Sequence, residues 1–173
     1  METPLHWAAR LGHEEILLTL LRNGARVNTR NDRGFTPLHW AASEGFAHCV
    51  QILLSYGAEV SAVNCYDATP LHWAVKDGFR EISGLLLKSG AKVNIANRIG
   101  FTPLHWAVQA EDIPLILTLI HAEAELNAQD IHGSTALHFA AIKKNHEIVQ
   151  LLIRSGAGIN VVDNQGHTPL YYK

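Results

Sequence analysis

The sequence has little of what marks secreted or membrane-spanning proteins. Its 173 residues include only two cysteines, Cys49 and Cys65, which are too few for a disulfide framework and favour a reducing compartment. The longest apolar runs, such as ILLTLL at 16–21, fall far short of the ~18 residues that indicate a membrane span. Glu2 and Pro4 stand where a signal peptide would begin its basic and apolar regions. We therefore expect an intracellular, cytoplasmic protein without membrane insertion.

Strong charge and catalytic motifs are missing as well. The net charge is −2, from 14 basic and 16 acidic residues, and these are scattered rather than gathered into the basic stripe that nucleic acid requires. The patterns G-x-x-x-x-G-K-[ST], H-E-x-x-H, C-x-x-C and G-x-S-x-G do not occur. We expect no enzyme, no cofactor, no small-molecule substrate and no nucleic acid partner.

What the sequence does contain is a repeat. TPLHW begins at Thr3, Thr36, Thr69 and Thr102, TALHF at Thr135 and TPLYY at Thr168, always 33 residues apart. Thr can cap a helix whose first turn accepts Pro, and the following Leu and small residues lie on one helical face. A second apolar run, a Gly-Ala pair and an Asn/Asp/Gly-rich turn complete each unit. Each unit thus predicts helix, loop, helix and turn, with the second helix the more buried.

These units resemble ankyrin repeats, which have a period of 33 residues and a T-P-L-H-x-A signature. The resemblance covers the whole chain. It implies an all-α solenoid of stacked helix–loop–helix units with protruding β-hairpin-like turns, whose concave side is formed by the turns and first helices. We expect a single domain over 1–173, with repeats at about 1–30, 31–63, 64–96, 97–129 and 130–162 and a partial one at 163–173.

Four residues depart from the pattern. Asp67, Glu111, Glu123 and Lys144 stand where other units have glycine. Because a non-glycine residue in the left-handed conformation costs roughly 1 kcal/mol, we expect the fourth unit, with Glu111 and Glu123, to be the least stable.

Two polar columns recur with the repeat. Histidines stand at 6, 39, 72, 105 and 138, but stacked helices are ~8–10 Å apart, too far for several imidazoles to share a metal ion. We therefore expect no metal site and instead hydrogen bonds to backbone or to Thr hydroxyls. Asn28, Asn94, Asn127 and Asn160 are expected to stabilise turns through their own backbone. The family resemblance implies an alternative for them, hydroxylation of the asparagine.

An aromatic column follows the histidines, with members Trp7, Trp40, Trp73, Trp106, Phe139 and Tyr172. Its position in the first helix places it on the face of the variable residues rather than on the Leu–Ala face. The rings are expected to form a ladder along the concave side. They could hold adjacent helices together, form an open floor for a partner, or do both.

Residues that differ between units at the same slot carry the information about binding. We expect the turn tips and the ends of the first helices to form a partner-binding surface, with exposed apolar anchors and a polar rim. Its members are Arg33, Phe35, Glu44, Tyr66, Lys76, Asp77, Arg98, Ile99, Phe101, Ile131, His132 and Ile142. The alternative is that these are scattered surface residues without a common role.

The expected function is a non-catalytic protein–protein interaction module that binds another protein or a peptide on its concave face. On this reading, alanine at Phe35 and Phe101 weakens binding without lowering the melting temperature. The alternative is a structural spacer or scaffold segment of a larger multidomain ankyrin protein. Such a segment could also self-associate through its uncapped ends, because no polar capping repeat is visible.

Overall fold

The Thr-Pro pairs of the sequence lie at the starts of helices. In the computed structural model, which describes residues 1–172, these residues form ten α-helices and one 3₁₀ helix, with no β-strand. The chain divides into two compact units, Met1–Lys92 and Val93–Lys173. Each unit is an array of helical hairpins, and the expectation of one continuous domain stays a prediction.

Unit 1 contains three hairpins. Their first helices pack side by side, α1 with α3 and α3 with α5, and their second helices form a parallel row of α2, α4 and α6. The bounds are α1 Pro4–Arg10, α2 Glu14–Arg22, α3 Pro37–Glu44, α4 Ala47–Ser55, α5 Pro70–Lys76 and α6 Arg80–Lys88. This arrangement confirms the predicted order of helix, loop, helix and turn.

Unit 2 contains two hairpins and the opening of a third. Helix α7 packs against α9, and α9 packs against the 3₁₀ helix. The bounds are α7 Pro103–Gln109, α8 Ile113–His121, α9 Ala136–Ile142, α10 His146–Arg154 and the 3₁₀ helix Pro169–Tyr172. No helix among residues 1–172 has the length and apolar character that crossing a bilayer demands.

The core lies between the two rows of helices in each unit, but its distribution differs from the prediction. Helix α3 buries five of its eight residues, whereas α4 buries three of nine. The expectation that the second helix is the more buried is therefore wrong. The alanines of the first helices, such as Ala41 and Ala42, are fully buried and let neighbouring first helices approach closely. The second helices turn one face to water.

The turns between repeats are hairpin-like and joined at their tips. In the first, the backbone N–H of Asn31 donates to the carbonyl of Phe35 (3.0 Å) and that of Gly34 donates back to Asn31 (2.9 Å). The next turn attaches through Cys65, whose N–H donates to the carbonyl of Arg33 (2.8 Å). In unit 2, Ile131 donates to Ile99 in the same manner (3.2 Å). The turns therefore form a hydrogen-bonded edge without becoming strands.

The four departures from glycine take the left-handed conformation, as the sequence predicts. Their φ angles are 55° at Asp67, 56° at Glu111, 63° at Glu123 and 57° at Lys144. Glu111 makes stabilising contacts, because its carboxylate accepts hydrogen bonds from Asn145 Nδ2 (2.7 Å) and Lys143 Nζ (3.4 Å). Its strain is offset by bonds to the following repeat.

Glu123 offers a test of this strain. Replacing Glu123 with Gly should raise the free energy of unfolding by about 0.5 kcal/mol, because relief of the left-handed strain outweighs the added entropy of the unfolded chain. Glu111→Gly is the comparison, and its gain should vanish because the bonds to Asn145 and Lys143 are lost. Urea denaturation measures both. A lower urea midpoint for Glu123→Gly than for the wild type would contradict this account.

Candidate functional site

The histidines complete the helix starts. At α3, the backbone N–H of Thr36 donates to Nδ1 of His39 (3.1 Å), and Nε2 of His39 donates to the carbonyl of Ala68 in the next repeat (3.0 Å). A capping box of this kind satisfies backbone donors at a helix N-terminus. The same pair of bonds is made by His6 with Phe35, His105 with Ser134 and His138 with His167. The predicted hydrogen bonds to backbone are therefore confirmed.

Burial favours the neutral form of the His39 and His105 rings. His39 is fully buried, and desolvation lowers its pKa from 6.5 to about 4. Desolvation lowers the pKa of His105 in the same direction. A neutral ring with its proton on Nε2 is the tautomer that accepts from the Thr N–H and donates to the next repeat. Within residues 1–172 no three His, Cys, Asp or Glu side chains are grouped to hold a metal ion.

Asn28, Asn94 and Asn127 bond to the next repeat rather than to their own turn. Asn28 Nδ2 donates to the carbonyl of Gly57 (3.1 Å), and its Oδ1 accepts from the N–H of Glu59 (2.7 Å). Asn94 repeats both bonds with Glu123 and Glu125. The expectation of a backbone bond was right, but its placement in the local turn was wrong. The side chain spans two repeats because their backbones run side by side at this point.

A second Asx column holds the turns, and sequence reasoning missed it. Oδ1 of Asn31 accepts from the backbone N–H groups of Arg33 and Phe35, both at 2.9 Å. The column continues through Asn64, Asn97, Asp130 and Asp163. The column recurs every 33 residues, and each member directly precedes the two residues at the tip of its turn. The column follows the 33-residue period, but it is hard to recognise in the sequence because some members are Asn and others are Asp.

Ten of the twelve predicted contact residues are exposed. In unit 1 these are Arg33, Glu44, Tyr66, Lys76 and Asp77, and in unit 2 Arg98, Ile99, Ile131, His132 and Ile142. The apolar ones among them stand out, with Tyr66 at 45% exposure and Ile131 at 55%. They lie on turn tips or at the ends of first helices, as the sequence predicts.

The other two, Phe35 and Phe101, are buried, and the expectation that they are exposed anchors was wrong. Phe35 is 5% exposed and lies between Trp40 and Trp73, with ring centroids 4.8 and 5.5 Å away. Phe101 is 8% exposed and lies against Trp106 and Phe139 at 5.1 and 5.2 Å. Each ring fills the gap between the aromatic residues of successive first helices. Their truncation should therefore cost stability, contrary to the expectation from sequence.

In unit 1, other side chains connect the rings of the aromatic column. Arg10 places its guanidinium 4.5 Å from the ring centre of Trp40 and 5.5 Å from that of Trp7, a favourable cation–π geometry. Lys76 lies 5.1 Å from Trp73. Trp7 is 47% exposed, whereas Trp40, Trp73, Trp106, Phe139 and Tyr172 are partly buried. In unit 2, Tyr172 donates its hydroxyl to Asp163 (2.6 Å). The rings thus hold helices together, and Trp40 and Trp73 also line a groove.

This groove is the candidate site. It encloses about 450 Å³ in unit 1. Phe35, Trp40 and Trp73 form its aromatic floor, and its remaining lining residues are Met1, Glu2, Arg10, Asn31, Asp32, Arg33, Ser43 and Tyr66. Tyr66 is held by ring contacts to Phe35 (6.3 Å) and Trp73 (6.4 Å). A rigid aromatic side chain beside a cationic rim is the composition of a protein-binding hot spot.

Arrays of helical hairpins with linked turns define the class of helical repeat proteins. A comparison with protein families gives a match to ankyrin repeats in three copies, over residues 5–97, 62–130 and 104–172. The chain belongs to the ankyrin repeat family, as the sequence predicts. A comparison with curated proteins gives no match. Ankyrin repeats are in general protein–protein interaction modules without catalytic activity.

The buried imidazole of His39 makes stability depend on pH. Because the pKa of His39 falls from 6.5 to about 4 on folding, the unfolded state binds more protons between these values. Its contribution is present above pH 6.5 and is lost as the pH falls toward 4, on the order of 3 kcal/mol in all. Thermal unfolding between pH 4 and 7 measures this loss.

Two variants isolate the effect. His39→Gln keeps an acceptor for the cap but does not titrate, so it should flatten the pH dependence. His132→Gln changes an exposed histidine on a turn tip and should retain the wild-type curve. Equal curves for His39→Gln and the wild type would contradict the assignment.

Proposed function

We propose that this chain is a non-catalytic protein-interaction module that binds a protein or peptide segment over the groove of unit 1. The observation that carries the proposal is Tyr66, which is 45% exposed yet held in place by two neighbouring rings. A side chain fixed before binding loses little entropy on association. Tyr66 therefore has the character of an anchor residue.

The charges around the groove support a polar rim. Arg33 is exposed and lines the groove together with Tyr66. Arg10 is already engaged with Glu44 (3.7 Å) and with two indole rings. Arg33 is thus the guanidinium that a bound segment meets first. In unit 2, taken by itself, Ile99, Ile131 and Ile142 are exposed apolar side chains.

The cysteines fit this non-catalytic role and a reducing compartment. Both are free thiols. Cys49 is fully buried, and burial raises the pKa of its thiol to about 11, so it is a poor nucleophile. We therefore place the protein in the cytoplasm as a proposal, which fractionation of cells that express it would check.

A second candidate function is that of a spacer or scaffold segment in a larger multidomain ankyrin protein. The observation that favours it is apolar exposure at the outer helices, such as Ile16 on α2 at 53%. Such residues suit contact with a further repeat rather than with a folded partner on the concave side.

The groove is tested with a displayed library of random peptides. Peptides selected on the wild-type chain should lose at least roughly tenfold in affinity when Tyr66 is replaced by Ala, as is common for a central aromatic anchor. The melting temperature should stay within a degree or two, because Tyr66 lies on an exposed turn tip.

Tyr56→Ala is the matched control. Tyr56 is 39% exposed and lies at the end of α4, away from the lining of the groove. It should leave peptide binding unchanged. Selected peptides that bind Tyr66→Ala and the wild type equally would exclude this groove as the binding site.

A further inference from the structure

The hydrogen-bonding groups that are left unused in the groove of unit 1 are donors. Arg33 is exposed and lines the groove, and its guanidinium forms no hydrogen bond or ion pair with another of the residues that the structure describes. The indole N–H groups of Trp40 and Trp73, two rings of the floor, are shielded from water and have no acceptor within residues 1–172. A buried donor without an acceptor is unfavourable.

The acceptors of the same groove are engaged. Oδ1 of Asn31 accepts from two backbone N–H groups of its own turn, and the carboxylate of Glu2 accepts from Asn31 Nδ2 (2.6 Å). The carbonyl of Trp40 accepts from the hydroxyl of Ser43 (3.2 Å), and Asp32 is paired with the N-terminal ammonium. A segment that binds here therefore has to bring acceptors of its own.

The two guanidinium groups of the lining differ in what they have left to offer. Arg10 is paired with Glu44 (3.7 Å) and lies over two indole rings, so its charge is largely matched inside the protein. Arg33 has no such partner. Its planar fork of donors fits the two oxygens of a carboxylate better than a single carbonyl.

Arg33 also lies beside the proposed anchor residue. The backbone N–H of Cys65, which directly precedes Tyr66, donates to the carbonyl of Arg33 (2.8 Å). The two turn tips are thus fixed next to each other by a backbone hydrogen bond. A carboxylate bound to Arg33 would have the ring of Tyr66 as its neighbour in the groove.

We propose that the segment bound in this groove is acidic, with an Asp or Glu carboxylate paired to the guanidinium of Arg33 and the neighbouring part of the segment packed on Tyr66. The inference rests on the proposed function, because it names the class of segment that the groove of unit 1 takes. A neutral segment would cover Arg33 and leave its charge unpaired, which is costly. A basic segment would be repelled by it.

Peptides selected from the displayed library on the full chain test this class directly. They should be enriched in Asp and Glu relative to the starting library. The affinity of a selected peptide should fall as the salt concentration rises, because screening weakens the pairing with Arg33. Selected peptides enriched in Lys and Arg, or without a preference for either charge, would overturn the proposal.

A charge reversal locates the contact. Arg33→Glu should weaken an acidic peptide by at least roughly tenfold, because attraction becomes repulsion at a central contact. Arg22→Glu is the matched control, since it changes the net charge equally at the exposed end of α2, outside the lining of the groove. It should change the affinity by less than about twofold, as expected of a distant, screened charge. Equal losses for the two variants would contradict a direct pairing.

Exchanging the charges separates pairing from misfolding. A peptide whose acidic residue is replaced by Lys should lose binding to the wild type and regain it on Arg33→Glu. Circular dichroism checks that each variant folds, and Arg33→Gln replaces Arg33→Glu if that variant does not, with a severalfold loss expected for the acidic peptide. A Lys peptide that binds Arg33→Glu no better than it binds the wild type would overturn the proposal.

Asp32 supplies a check of the opposite sign. Its carboxylate is exposed beside Arg33, so Asp32→Asn removes a charge that repels an acidic segment. The variant should bind acidic peptides at least as tightly as the wild type. A lower affinity would show that Asp32 itself contacts the segment, and would overturn the assignment to Arg33.

The same measurements distinguish this inference from the function on which it rests. If Tyr66→Ala abolishes peptide binding but Arg33→Glu does not, the groove is the binding site and the acidic class is wrong. If neither variant affects binding, the groove is not the site and both proposals fall.

Discussion

One imidazole per repeat connects local structure to tertiary structure in this protein. His39 accepts a hydrogen bond from the N-cap residue of its own helix and donates one to the carbonyl of Ala68 in the next repeat. The first bond fixes where α3 begins, and the second fixes where the following turn lies. Neither a carboxylate nor an amine can do both, because the site needs one acceptor and one donor on opposite sides of a buried ring. The pattern TPLH therefore specifies a contact between neighbouring repeats as well as the start of a helix.

The aromatic residues contribute both to the packing between helices and to the lining of the groove in unit 1. Phe35 lies between Trp40 and Trp73, and these three rings form the floor of the groove in unit 1. Truncating any of them removes packing between helices. The turn tips are different, because their hydrogen bonds use backbone atoms and the Asx side chain at the base of the turn. Tip side chains such as Tyr66 can therefore change without disturbing the fold.

The sequence predicted the period, the order of helices, the left-handed residues and the turn tips, because each follows from short-range chemistry repeated many times. It failed for Phe35 and Phe101. Their slot holds Ala68, Ser134 and His167 in other repeats, and such variability at a repeat position predicts exposure. The slot is in fact a gap between neighbouring first helices, filled by whichever side chain fits. The asparagine bonds were misplaced for a related reason, since their partners lie in the next repeat.

The hydrogen bonds between repeats have a consequence for how the chain folds. In residues 1–172, the side-chain bonds that cross from one repeat to the next join residues 29 to 34 positions apart. Forming them closes loops of one size only, so no step pays the large entropy of bringing distant segments together. A nucleus in any neighbouring pair of hairpins can grow in either direction. Assembly could thus begin on the ribosome once two hairpins have emerged, before the rest of the chain is made.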